Sequence, residues 1–177
     1  MKTMKRAAAL LLVLCLAVLP AAALGEENGK LEFSTVNLDG EPVTEGILTG
    51  KRIVMINVWT TWCGYCLREM PQLAQLEKVL PEEACILYLC ADLPDLNDEW
   101  QRSQVEEIVQ NSGINRKNVL VCPAEEFLEL LEGLTGYPTT YYADGKGYLA
   151  SEATVGAYFE GYVNFLENVL GPLPSIE

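Results

Sequence analysis

The sequence contains no histidine, and only 12 lysine and arginine residues against 25 aspartate and glutamate residues. Without imidazole, a soft-metal centre would need four thiolates at suitable spacing, so no metal is expected. Attachment of a c-type haem needs a histidine directly after a closely spaced cysteine pair, and Leu67 stands in that place. The shortage of positive charge leaves a formal net charge of −13, which disfavours nucleic acid and anionic lipid surfaces. It would suit a basic partner, although solubility is the simpler reading. Between Leu31 and Leu170 there is no internal repeat, low-complexity tract or linker, so one domain over residues 31–171 is expected.

Hydrophobic residues fill 50% of the 177 positions, enough for a proper core and too many for a disordered chain. The longest run of them is N-terminal. Lys2, Lys5 and Arg6 precede an apolar stretch from Ala7 to Leu19, then Pro20 and the small residues Ala21, Ala22 and Ala23. This is the three-part layout of a secretory signal peptide over residues 1–23. An uncleaved membrane tether is the alternative, but Pro20 interrupts the run and a spanning helix needs about 20 apolar residues. Leu14, before Cys15, argues against a lipid-modified cysteine. The domain is therefore expected outside the cytoplasm: secreted, periplasmic or on the outer face of a membrane. Cleavage would remove three basic residues and take the formal net charge from −13 to −16. Disulfides persist in such compartments, and Cys63, Cys66, Cys85, Cys90 and Cys122 remain. The number is odd, so at least one thiol is left over or paired outside the chain.

Alternation of strand-like and helix-like stretches sets the fold class. Leu31 to Leu38 reads as a strand ending in the turn dipeptide Asp39-Gly40. Arg52 to Trp59, "RIVMINVW", reads as a strand buried on both faces, followed by a helix with Met70, Leu73, Leu76 and Leu80 on one side. Cys85 to Cys90, "CILYLC", is a second buried strand. Trp100, Val105, Ile108 and Val109 then suggest a helix stopping before Gly113, and Val119 to Cys122 a short strand. Pro123 opens a helix with Phe127, Leu130, Leu131 and Leu134 on its apolar face. Pro138 to Ala143 and Tyr148 to Ala150 flank "DGKG" as a hairpin. Tyr158, Tyr162, Phe165, Leu166 and Val169 line a closing helix that Gly171-Pro172 ends. The pattern implies an α/β layered domain with a mixed sheet.

Chemistry concentrates in "WTTWCGYCLREMP", Trp59 to Pro71. Cys63 and Cys66 lie where a buried strand meets the first turn of a helix. A helix N-terminus carries about half a positive charge and unpaired N–H groups, which favour an anion. That position should lower the pKa of Cys63 and make it the nucleophile. Cys66 lies one turn on, on the same face, close enough to form a disulfide with it. Pro71 cannot donate to the carbonyl of Leu67 and should kink the helix.

These residues, with the later "GYPTT" and "PTTYYADGKG", resemble the thioredoxin superfamily, and most closely its TlpA/ResA-like extracytoplasmic thiol–disulfide oxidoreductases. The likeness covers nearly all of Leu31 to Leu170. It implies a thioredoxin-like three-layer fold, a central mixed sheet flanked by helices, with an extra βα unit near Trp100 to Cys122. It also implies exchange of electrons with protein disulfides or dithiols, without a cofactor, by a monomer served by a redox partner protein. In that family the proline matched by Pro138 is cis and faces the cysteine pair, and Tyr137 would offer its backbone to a bound substrate strand. Trp62 and Tyr65 would belong to the same substrate-facing surface. Thioredoxin has an aspartate six residues before its first cysteine; here that residue is Asn57. The TlpA/ResA-like branch often pairs such an asparagine with a glutamate at the position of Glu69, which would take the proton of Cys66. The alternative for Glu69 is a solvated helix side chain.

Cys85 and Cys90 have opposite parity on one strand and cannot bridge each other. The resemblance places the strands ending in Cys90 and Cys122 side by side, so these two either form a structural disulfide or stay as buried thiols. Two other functions compete. Thr60, three residues before Cys63, would suit a peroxiredoxin-like peroxidase, although an adjacent CxxC pair favours dithiol exchange. A non-catalytic binding module would use the pair as a structural disulfide.

Overall fold

The structure is a computed structural model that describes residues 30–176. The expected signal segment, residues 1–23, lies outside the described residues. Two strands, β1 (Ser34–Val36) and β2 (Pro42–Thr44), form an N-terminal antiparallel hairpin around the Asp39-Gly40 turn. The strand expected over Leu31 to Leu38 is thus shorter than its pattern. Asn37 accounts for the difference, because its side chain accepts from the backbone N–H groups of Asp39 and Glu41 and turns the chain early.

The main sheet has the order β5-β4-β3-β6-β7. Its strands β3 (Ile53–Trp59), β4 (Ala84–Cys90) and β5 (Val119–Val121) run parallel, while β6 (Thr139–Ala143) and β7 (Thr154–Val155) are antiparallel to their neighbours. All seven residues of β3 are buried, which explains its unbroken apolar run. The return strand after "DGKG" is interrupted: Leu149 bridges Ala143, and pairing resumes only at β7.

One face of the sheet is covered by α1 (Gly64–Val79), α2 (Glu99–Ser112) and α4 (Phe159–Leu170). Met70 and Leu73 of α1, Val105 of α2, and Tyr162 and Leu166 of α4 meet Met55, Trp59, Ile86 and Tyr88 there. The opposite face carries the N-terminal hairpin and the short α3 (Leu128–Leu131) over Val54, Ile56, Leu87 and Leu89. The helix expected after Pro123 is therefore broken into a 3-10 turn and a single helical turn. Contacts to the hairpin explain this, since Phe127 packs on Phe33 and Glu126 accepts from the Ser34 N–H.

Trp100, counted in the α2 stretch, and Tyr158, expected on the face of the closing helix, are exposed. Trp100 precedes Val109 by about two and a half helical turns, so the two point in opposite directions and Trp100 is 69% exposed. Tyr158 precedes α4 and is exposed too.

Candidate active site

The site is built where the chain leaves the carboxyl end of β3. Cys63 is the N-cap of α1, and its Sγ accepts from the backbone N–H of Cys66 at 3.1 Å. The two cysteines are joined as a disulfide with their Cα atoms 5.3 Å apart. Cys66 is wholly covered, whereas Cys63 keeps 5% of its surface open. That asymmetry follows from the helix: Cys66 lies on the stripe that continues through Met70 and Leu73 into the core.

Glu69 lies on the same stripe and is only 3% exposed, so it is not a solvated helix side chain. Its Oε1 accepts from Asn57 Nδ2 at 3.1 Å, and the same Nδ2 lies 3.1 Å from Thr140 Oγ1. Burial pushes the Glu69 carboxyl up from 4.5 to about 7, opposed more weakly by the Asn57 hydrogen bond and the nearby Tyr162 hydroxyl. Oε2 is buried and makes no hydrogen bond. Glu69 also borders a surface cleft of about 460 Å³ with Gln72, Tyr158 and Glu160.

Opposite the cysteines, Val58 pairs with Thr139, so Pro138 follows at the end of the sheet where the cysteine turn leaves β3. The Tyr137–Pro138 bond is cis. The Tyr137 ring meets Trp62 edge to face with centroids 5.6 Å apart. Trp62 and Tyr65 are 70% and 64% exposed, and the Arg68 guanidinium lies over the Tyr65 ring. Trp62 and Tyr65 flank Cys63 in the chain, and Tyr137 joins Trp62 at the surface.

The Cys90–Cys122 bond is not formed; both are free thiols, as is Cys85. The register gives the reason. Cys90 pairs with Val121, so Cys122, one residue further, faces the other layer of the molecule. Burial pushes all three thiols up, Cys85 to about 11, Cys122 to about 12 and Cys90 well above its ordinary value.

Sequence reasoning missed Asp92, Thr140 and Tyr162 around this site. The signal for Asp92 was available: it lies just beyond the carboxyl end of a strand parallel to the one that bears the cysteines. Residues leaving such ends converge.

A strand-end CxxC pair at a helix N-terminus, with a cis-proline directly before the neighbouring strand β6, now meets a family match over residues 20–147 to the Redoxin model. The chain belongs to the redoxin family. It is 27% identical over 124 residues to the thioredoxin-like protein YneN of Bacillus subtilis, across 66% of this chain and 64% of that one. It is 27% identical over 130 residues to the thiol:disulfide interchange protein DsbE of Pseudomonas aeruginosa, across 73% and 65%. The aligned parts thus span slightly less than two thirds of these relatives. A thioredoxin-family thiol:disulfide interchange protein from Chlorobium tepidum has the same fold, with a TM-score of 0.65 at 24% identity over 80% of this chain and 95% of that one. The redoxin match and these relatives agree with a TlpA/ResA-like member of the thioredoxin superfamily.

Proposed function

We infer that this redoxin is a thiol–disulfide oxidoreductase that exchanges electrons with protein disulfides through Cys63 and Cys66. The observation that carries the reading is the disulfide at the start of α1, with Cys63 as the partner that retains exposure. In the reduced protein the helix N-terminus and the Cys66 N–H favour a thiolate on Cys63. That thiolate attacks a substrate disulfide, releases one substrate thiolate and leaves a mixed disulfide. Cys66 then attacks Cys63 Sγ, releases the second substrate thiol and closes the pair. Glu69, one turn beyond Cys66 on the same face, takes the Cys66 proton; a pKa near 7 suits a group that must accept and release it. Tyr137, Pro138, Trp62 and Tyr65 form the surface on which an extended substrate segment docks.

Reduction of substrates is the proposed direction, with electrons supplied by a partner protein. An extracytoplasmic site of action follows from the signal-like segment at residues 1–23, with an uncleaved tether as the other form. Cys63→Ser should abolish reduction of insulin disulfides, while Cys66→Ser should accumulate substrate mixed disulfides on Cys63. Reductase activity retained in Cys63→Ser would overturn the assignment.

A further inference from the structure

Beside the cysteine turn stands a carboxylate that the mechanism above does not use. Trp59 of β3 is opposite Cys90 of β4, so the chain segments leaving these two strands run next to each other. The Ala91 N–H donates to the Trp59 carbonyl at 2.8 Å, which ties the segments together at their roots. Two residues beyond the Trp59–Cys90 pair on each segment, Asp92 meets Thr61. The Thr61 backbone N–H lies 3.1 and 3.0 Å from the two Asp92 carboxylate oxygens, and the Thr61 hydroxyl donates to Oδ2 at 2.6 Å. The Cys90 thiol donates to Oδ1 at 3.3 Å. Because the Thr61 proton is committed to Asp92, its oxygen is free to accept, and Gln101 Nε2 of α2 lies 3.3 Å from it. Every donor around the carboxylate is directed at it, and a neutral amide could not accept them all.

Thr61 is two residues before Cys63, and the Cys63 N–H donates to the Thr60 carbonyl at 3.1 Å within the same turn. The carboxylate therefore fixes the turn that presents Cys63 to Cys66. We propose that Asp92 is a positioning residue for the cysteine pair, acting through Thr61 to hold Cys63 where it closes on Cys66 and so making the disulfide harder to reduce. The inference rests on the oxidoreductase reading. Two physical effects point the same way. A held turn raises the effective concentration of one thiol at the other, which favours the closed bond. A negative charge beside the turn disfavours a thiolate on Cys63, which also favours the closed bond.

The test is equilibration of the Cys63–Cys66 disulfide with glutathione. Two glutathione thiols give up two electrons and two protons and become one glutathione disulfide, and the protein pair becomes two thiols. Asp92→Asn should move this equilibrium towards the dithiol by about tenfold, the scale of a hydrogen bond to a charged group. Thr61→Val, which removes only the hydroxyl, should move it in the same direction by less, and serves alone if Asp92→Asn does not fold. The double variant should shift no further than Asp92→Asn, because the two residues act through one contact. An unchanged equilibrium in a folded Asp92→Asn, with only the melting temperature lowered, would reduce Asp92 to a structural role and overturn the proposal. Shifts that simply add in the double variant would also overturn it. A wild-type disulfide left intact by excess dithiothreitol would instead overturn both this proposal and the oxidoreductase reading.

Discussion

Glu69 carries the clearest residue-scale consequence. Its carboxyl titrates near 7 in the folded protein, against an ordinary value of 4.5. Between those values the folded protein holds a proton that the unfolded chain has released. The native state therefore loses stability as pH rises from about 4.5, and the loss levels off above about 7, where it approaches ~3 kcal/mol. Glu69→Gln keeps an acceptor for Asn57 and removes the charge. Its melting temperature should exceed that of the wild type at pH 8 and match it near pH 4.5. Equal melting temperatures at both values would mean that the carboxylate is solvated. If Glu69 also takes the Cys66 proton, the same variant should slow resolution of the mixed disulfide more than its formation. Stopped-flow traces with both steps unchanged would remove it from the mechanism.

At the scale of the element, helix ends rather than helix interiors decide how the site is framed. Helix α2 starts with Asp98, whose side chain accepts from the Gln101 N–H, and ends at Gly113 with φ of 78°. Its first turn delivers Gln101 to Thr61, so the placement of that helix bears on the cysteine turn. A Cβ at Gly113 would meet nothing closer than Ala74 at 4.0 Å. Gly113→Ala should therefore cost only the left-handed backbone penalty, about 1 kcal/mol, read as a lower urea midpoint at unchanged slope. A cost several times larger would show that packing, not backbone conformation, limits this position. Helix α1 runs unbroken through an internal proline. Pro71 gives no N–H to the Leu67 carbonyl, yet Met70 and Leu73 on either side of it are fully buried, so packing holds the helix through the missing hydrogen bond.

For the whole molecule, burial distinguishes one reactive cysteine from three inert ones, two of which lie across the sheet from it. Cys90 lies in the layer of the three long helices, and Cys85 and Cys122 pack with the hairpin layer. Raised pKa values follow from that burial and keep all three thiols protonated at neutral pH. Brief alkylation of the native, reduced protein at pH 7, mapped by peptide mass, should modify Cys63 and leave Cys85, Cys90 and Cys122 unmodified. Labelling of Cys90 or Cys122 on the same timescale would mean that the core opens far more readily than its packing indicates. The oxidised protein should likewise show one internal disulfide among these five cysteines, since Cys90 and Cys122 face different layers.

Local sequence pattern is enough for the fold class and the place of the cysteine pair. A short, β-branched, unbroken run such as Ile53–Trp59 reads as a strand covered on both faces, and the CxxC directly after it falls at a helix N-terminus. The pattern also contained a signal for the burial of Glu69, which shares its helix stripe with Cys66, Met70 and Leu73. Periodicity alone left the choice open, because a carboxyl on an apolar stripe can still sit at its solvent edge. What covers that carboxyl, which amide it meets and the lack of a partner for one oxygen follow from packing between distant elements. The same holds for Cys90 and Cys122, where a register offset of one residue sends two neighbouring cysteines to opposite faces, and for Trp100, whose side of α2 looks outward. Asp92 and Thr61 are separated by 31 positions in the chain, and only the parallel pairing of β3 with β4 brings them within hydrogen-bond distance. Local pattern fixes which residues form an element; strand order and register fix which elements' ends meet, and at this site chemistry lies at those ends.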